Sequence, residues 1–270
     1  MLTIHLRCYE ELNEFLPKEK RKVQFTHTIP VQTSVKDLIE SFNIPHTQVQ
    51  MILVNGWQED FSYVVQNNDR ISIYPYFHNF DVHSVSKISH PLPDQIRFIA
   101  DQHLGTLVRY IRMLGIDTAY NKNLTGHELV KKANQGERIL LTKDHNILKR
   151  NELKYGYFVY ADDFDSQLEE LILQFKLKEY TSLFSRCLEC NELLEPIEKA
   201  KIMHRLPQKV KECHDDFTIC KRCDKIYWKG THYDRMKEKI EDILKIARCQ
   251  KWSKRFTVKC SRNISLQLCH

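Results

Sequence analysis

Long hydrophobic runs are missing from this sequence. No window of about 18 consecutive apolar residues occurs in the 270-residue chain, so the usual signature of a membrane-spanning helix is absent. The opening stretch, MLTIHLRCYEELNEF, also lacks the uninterrupted apolar core of a secretory signal. Neither a membrane span nor a signal peptide is expected, and the cytoplasm is the expected compartment. That setting changes how the nine cysteines are read. Outside the secretory route, cysteines spaced Cys-x-x-Cys are more economically metal ligands than disulfide partners.

What is present suits a globular chain of more than one unit. Hydrophobic residues make up 42% of the sequence, enough for a sizeable core, and the length exceeds what one domain typically needs. Charge is unevenly spread. Residues 1–94 carry 8 Lys and Arg against 11 Asp and Glu, residues 95–185 carry 13 against 12, and residues 186–270 carry 20 against 12. A basic C-terminal third favours a polyanionic partner, nucleic acid above all.

The first 75 residues alternate in a two-residue period at Leu2, Ile4, Leu6 and Cys8, and again at Val23, Phe25 and His27. This predicts two strands of a hairpin, then a helix over residues 34–42 capped by Ser34. Two further strands are expected at residues 50–54, ending in the turn Asn55-Gly56, and at residues 70–74. Such a unit resembles the ubiquitin-like β-grasp, close to its sulfur-carrier branch. A sulfur carrier would end in Gly-Gly, whereas this unit runs into Tyr74-Pro-Tyr-Phe-His-Asn-Phe-Asp81 and continues. It is therefore expected to be a docking module, its aromatic cluster packed on the next domain, with a proline-bearing linker over residues 84–93.

After that linker, short apolar stretches alternate with helical periods. Strands are expected at residues 96–100, 116–120, 139–142 and 157–160, and helices from just after Asp101 to Gly115, over 128–134, 146–151 and 166–177. Alternation of this kind predicts an α/β domain with a parallel sheet, and in such sheets ligands lie beyond the carboxyl ends of the strands. Asp101, Asp144, Asp162 and Asp163 all follow strands. Each alone reads as a helix cap or loop acid. Together they suggest a carboxylate cluster, which needs a cation to offset mutual repulsion, and oxygen ligands select hard Mg²⁺ or Mn²⁺. Hydrolysis of a phosphodiester is the chemistry that follows. Arg109 and Arg112 project from the first helix either towards phosphate or into solvent and acid pairs.

Cys187-Leu-Glu-Cys190 and Cys220-Lys-Arg-Cys223 form two matched knuckles 29 residues apart. Four thiolates so arranged suit a closed, structural Zn²⁺ site. Tyr227 and Trp228 either stack on bases or pack beneath the knuckles. His232 is not expected to ligate zinc and either contacts phosphate or caps a helix. An amphipathic helix is expected over residues 233–247, and residues 247–270 read as a flexible basic tail.

Two sets of residues resemble one family. They are Asp101-x-x-Leu-Gly105 with Arg109-Tyr-x-Arg112, Arg138-Ile-Leu-Leu-Thr-x-Asp144 and Asp162-Asp163-x-x-x-Gln167-Leu168, and the segments around Cys187, Cys190 and Tyr227 to Met236. The chain is similar to the PIN-like RNases, more narrowly the branch named after the C-terminal domain of the mutator-seven exonuclease. That resemblance implies three domains. They are an N-terminal β-grasp at residues 1–82, a three-layer parallel-sheet PIN-like nuclease at 95–178, and a C-terminal zinc ribbon at 183–246. It implies Asp101 and Asp144 as principal ligands of Mg²⁺ or Mn²⁺, completed by Asp162 or Asp163, with Glu128 as the candidate for the second acidic position. Expected RNA contacts are Arg109, Arg112, Lys143, Trp228 and His232. The implied substrate is RNA, with a protein partner for the ubiquitin-like unit. The other reading is an inactive RNA-binding adaptor.

Overall fold

The computed structural model describes residues 1–76, 86–88 and 93–253, the side chains of 232 and 246–253 excepted. Residues 77–85 and 89–92, which include most of the expected linker and Phe77 and Phe80 of the aromatic cluster, lie outside the described residues, whereas Ser86 donates to the Gln50 carbonyl at 2.6 Å and Ile88 is buried in the core of the N-terminal unit. Among the described residues, no helix is long and apolar enough to cross a membrane.

The N-terminal unit is a five-stranded sheet. Strands β1 (Leu2–Cys8) and β2 (Phe25–Ile29) form an antiparallel pair, and helix α1 (Val35–Ser41) follows. Next come β3 (Met51–Val54), β4 (Trp57–Glu59) and β5 (Arg70–Tyr74), and the sheet order is β2-β1-β5-β3-β4 with β1 and β5 parallel. The alternating residues Ile4, Leu6 and Cys8 are buried against Val35, Leu38 and Ile39 of α1, as a half-buried pleat requires. Ser34 caps α1 by accepting the Asp37 N–H at 3.1 Å. Two details differ from the sequence reading. Val23 lies ahead of β2 and is exposed, because Lys22 at φ 59° turns the chain and pairing starts at Leu6 opposite Phe25. Asn55 and Gly56, both at positive φ, form a tight turn that returns the chain as β4, a strand too short for periodicity to reveal.

The second unit has three layers. Strands β6 (Phe98–Ala100), β7 (Thr118–Tyr120), β8 (Ile139–Thr142) and β9 (Gly156–Phe158) form an all-parallel sheet in the order β7-β6-β8-β9. Helices α2 (Gly105–Met113) and α5 (Phe164–Gln174) pack on one face through Leu107, Val108, Ile111, Leu168 and Leu171. Helices α3 (Gly126–Gln135) and α4 (His145–Leu148) cover the other through Leu129, Val130, Ala133 and Leu148. Strands covered on both faces read as continuous apolar runs, which is why Ile139–Leu141 shows no alternation. Helix α5 stops short of Leu177 because Lys176 takes a left-handed conformation, φ 49°.

The C-terminal unit holds a three-stranded antiparallel sheet, β10 (Glu195–Ile197), β11 (Phe217–Ile219) and β12 (Ile226–Trp228), with α6 (Lys199–Ile202) and α7 (Gln208–Cys213) between the first two strands. The closing helix α8 (Thr231–Ser253) continues beyond residue 247. This corrects the expected tail boundary, and residues 254–270 lie outside the described ones. Ile240 and Ile243 of α8 are buried in the core of the second unit beside α5, so the helix ties the two units together.

Side chains reinforce both junctions. Gln48 of the N-terminal unit, 2% exposed, donates to the Gly156 carbonyl at 3.0 Å and accepts the Phe158 N–H at 3.1 Å. Its amide thus satisfies the outer edge of β9, which would otherwise offer unpaired backbone groups. On the other side, Gly115 at φ 86° ends α2, and a Cβ there would come within 2.2 Å of the Ser182 carbonyl oxygen. Gly56 also has positive φ but open space around it. Gly115→Ala is therefore expected to destabilise by about 2–4 kcal/mol, combining left-handed strain with overpacking. Gly56→Ala should cost only about 1–2 kcal/mol. Equilibrium denaturation of the two variants checks the order.

Candidate active site and metal centre

The strand order reverses between β6 and β8: the chain leaves β6 for β7 on one side, then returns to place β8 on the other. A crevice beyond the carboxyl ends at such a switch point is where open α/β sheets bind ligands. Asp101 follows β6 and Asp144 follows β8, so the two acids flank it.

Asp101 is 3% exposed. A buried carboxylate is costly unless its lone pairs are satisfied, and here three donors satisfy it. Oδ1 accepts the His103 N–H at 2.8 Å, and Oδ2 accepts the Thr142 hydroxyl and the Lys143 N–H, the latter at 3.3 Å. The Thr142 Oγ1 in turn accepts the Asp144 N–H at 2.9 Å. One hydroxyl, fully buried, thus joins the backbone of one acid to the carboxylate of the other. Thr142 escapes a motif-based reading because it looks like the polar end of an apolar strand.

Asp144 is exposed and caps α4 by accepting the Asn146 N–H at 2.8 Å. Asp162 is exposed and pairs with the Lys143 ammonium at 2.7 Å. Asp163 caps α5 through the Ser166 N–H at 3.0 Å, and its bonds to Ser166 hold its carboxyl below the ordinary range. Glu128 occupies a capping box, its carboxylate accepting the Thr125 N–H and hydroxyl, both at 2.8 Å, while Thr125 Oγ1 accepts the Glu128 N–H. These bonds lower its pKa. The sequence Thr125-Gly-His-Glu128 carries that signature directly. Among the described residues, no three of these acids form a group placed to hold a metal; the group of that kind is the four cysteines.

The expected RNA contacts separate in the same way. Lys143 lies on the acidic edge. Arg109 is exposed, 3.6 Å from Glu189. Trp228, half-buried, packs on the small ribbon core of Ile202, Leu206 and Phe217. With Arg109, Phe184, Lys225, Tyr227 and Tyr233 it lines a groove of about 790 Å³. The His232 side chain lies outside the described residues. Arg112 requires a correction: it is 3% exposed and faces no solvent. Its guanidinium donates to the Thr118 carbonyl at 3.0 Å and to the Leu188 and Glu189 carbonyls at 2.8 Å each. It fastens the first cysteine knuckle to the sheet, and that burial removes it from phosphate contact.

The sulfurs of Cys187, Cys190, Cys220 and Cys223 all lie within 4.8 Å of one another. Cys187–Cys223 and Cys190–Cys220 are 3.4 and 3.3 Å apart. Zn–S bonds of about 2.3 Å in a tetrahedron separate sulfurs by about 3.8 Å, so the donors fit a metal with small adjustment. Burial alone pushes the Cys187 thiol up, but the Tyr227 hydroxyl and the Cys190 and Glu189 backbone outweigh it and bring it to about 6. Burial and the neighbouring sulfurs push Cys190 to about 12.

This centre sits at the amino edge of the parallel sheet, opposite the acids. Asn191, just after the knuckle, accepts the Thr118 N–H at 2.9 Å and donates to Asp117 at 2.7 Å. Asp117 also holds Arg138 through two bonds of 2.6 and 3.2 Å. Asp117 and Asn191 are missed by a search for catalytic acids, since their work is to join domains.

Residues 96–240 match the Mut7-C RNAse domain and residues 1–81 match the Mut7-C ubiquitin family. No curated protein and no solved structure matches the chain. The chain belongs to the Mut7-C RNAse domain family, and it carries that family's ubiquitin-like unit at its N-terminus.

The domain junction has a pH signature. Burial raises the Asp117 pKa, but the hydrogen bonds from Arg138 and Asn191 outweigh it and leave the carboxyl below its ordinary value. A depressed acid contributes stability above its unfolded pKa of about 3.9 and loses it as pH falls through the lower folded value. Asp117→Asn should therefore cost stability at pH 7, and the gap from wild type should narrow as pH drops below about 4. Denaturation curves across that range test it.

Proposed function

We propose that this member of the Mut7-C RNAse family is a divalent-metal-dependent ribonuclease whose acidic edge cuts RNA and whose ribbon helps to hold it. The observation that supports this reading best is the pairing of Asp101 and Asp144 across one buried hydroxyl at the switch point of a parallel sheet. Their oxygen donors suit hard Mg²⁺ or Mn²⁺. Asp101 and Asp144 would hold the ion, with Asp162 or Asp163 contributing. Bound there, a divalent ion supplies an activated water and charge neutralisation for phosphodiester hydrolysis. Asp101 is held in orientation by its three donors. Lys143, paired with Asp162 on the same edge, is a cation available to a phosphate.

Zn²⁺ is the proposed occupant of the four-cysteine centre, in a structural role, because four sulfur donors close its tetrahedron. A reducing compartment such as the cytoplasm suits thiolate ligands. The exposed Arg109 and Lys225 and the half-buried Trp228 of the ribbon-side groove are proposed to contact RNA. For the ubiquitin-like unit a protein partner is the accompanying proposal.

A second reading, an RNA-binding adaptor without turnover, draws on two observations: Glu128 is tied into its own helix cap, and no three of the candidate acids form a metal-holding group among the described residues. The experiment separates the two. Purified protein should cleave single-stranded RNA when Mg²⁺ or Mn²⁺ is added. Asp101→Asn and Asp144→Asn should each lower the rate at least about 100-fold, while zinc content stays at one ion per chain. Tight, salt-sensitive binding without cleavage under any divalent ion would favour the adaptor, and full activity in both variants would refute the assignment of the acids.

A further inference from the structure

We infer that the N-terminal ubiquitin-like unit is a built-in positioning element of the acidic edge, acting through Phe15. This inference rests on the proposed metal-dependent reading and adds to it a role for the N-terminal unit within its own chain.

The contacts converge on the residues next to the acids. Phe15, in the 3₁₀ segment Glu10–Phe15 between β1 and β2, meets three rings edge-on: His145 at 5.0 Å, Phe158 at 5.3 Å and Tyr160 at 5.6 Å. His145 is the residue after Asp144, and Tyr160 stands two before Asp162. A single side chain of the N-terminal unit thus touches both loops that carry exposed acids. The His145 ring also stacks obliquely on Phe158 at 4.3 Å.

The β9–α5 loop is clamped from its other side by helix α5. Glu170 accepts the Tyr160 N–H at 2.9 Å and the Ala161 N–H at 2.8 Å, and it also accepts the Tyr157 hydroxyl at 2.9 Å. Gln167, one turn earlier, donates to the Ala161 and Asp162 carbonyls at 3.1 and 3.2 Å. Amides and carbonyls of residues 160–162 are thereby fixed by two side chains at i and i+3 spacing. Phe15 covers this clamped segment, and the rings and Glu170 line a cavity of about 550 Å³ between the two units. Anchors away from the edge set the register of the whole unit. They are the two Gln48 bonds to β9 and the Lys149 ammonium, which donates to the Glu40 carbonyl at 3.0 Å and to Asn43 at 2.9 Å.

Three edge-on ring contacts together are enough to hold a loop in one conformation rather than several. Their loss should loosen the loops without unfolding either core. Phe15→Ala and Gln48→Met in the full chain are compared with wild type and with Trp57→Ala, whose exposed side chain lies away from this junction. Two readouts are used: amide hydrogen exchange, and Mn²⁺ binding by titration calorimetry on protein with its zinc centre loaded.

Phe15→Ala should speed exchange at Tyr160 and Ala161 at least about tenfold and weaken Mn²⁺ binding at least about fivefold, with Phe15→Leu partly restoring both. Gln48→Met, which keeps the volume and removes both hydrogen bonds, should speed exchange at Phe158 and serves where Phe15→Ala folds poorly. Exchange at Tyr160 and Ala161 unchanged in Phe15→Ala, or equal changes in Trp57→Ala, would overturn the inference. If wild type binds no Mn²⁺, the metal reading fails, while the exchange data still decide whether Phe15 orders the loop.

Discussion

A carboxylate kept out of water sets the terms for the whole acidic edge. Asp101 is buried at the end of β6, and the cost of that burial is offset only if its oxygens find donors. The donors come from three places: the start of the turn leading into α2, the hydroxyl ending β8, and the backbone just beyond it. Meeting the needs of one side chain therefore fixes the end of one central strand against the end of the next. It also fixes where α2 begins and where Asp144 emerges. The parallel pairing of β6 with β8 brings these groups to one level, and the Asp101 N–H to Leu141 carbonyl bond of 3.1 Å carries that pairing one residue past the strand.

The two ends of the sheet have different tasks. At the carboxyl end, short loops present acids, and the N-terminal unit and α5 hold those loops. At the amino end, Arg112, Asp117, Arg138 and Asn191 weld the cysteine knuckle to the strands. Strands here have only three or four residues, so the ends are separated by roughly 10–13 Å at about 3.3 Å per residue. Helix α2 spans the same gap, beginning beside Asp101 and ending at Gly115 under the ribbon, with Arg109 exposed midway. An RNA strand engaging both the ribbon-side groove and the acids would follow that helix.

Much of this was legible in the residues themselves. Continuous apolar runs such as Ile139–Leu141 announce buried parallel strands, and the matched Cys-x-x-Cys pairs announce a closed site, because both patterns are dictated by local chemistry. Less legible were features decided between domains. Arg112 reads as a surface cation on a helix, and only the docking of the ribbon turns it into a buried staple. Glu128 reads as a ligand by position, while Thr125 three residues earlier marks it as a capping-box partner. Phe15, Gln48 and Glu170 belong to no motif, and their importance arises from what the fold sets opposite them. The apolar period of helix α8 is legible in the residues, but that the core beside α5 of another unit buries Ile240 and Ile243 is not.

The central claim is that Asp101 and Asp144 share a divalent ion at the switch point of the sheet. Crystals of the full chain soaked in Mn²⁺, with anomalous data collected at energies that separate manganese from zinc, test it most directly. The account predicts a manganese peak within coordination distance of both carboxylates and a zinc peak among the four cysteines. Zinc among the cysteines with no manganese between Asp101 and Asp144 would contradict it.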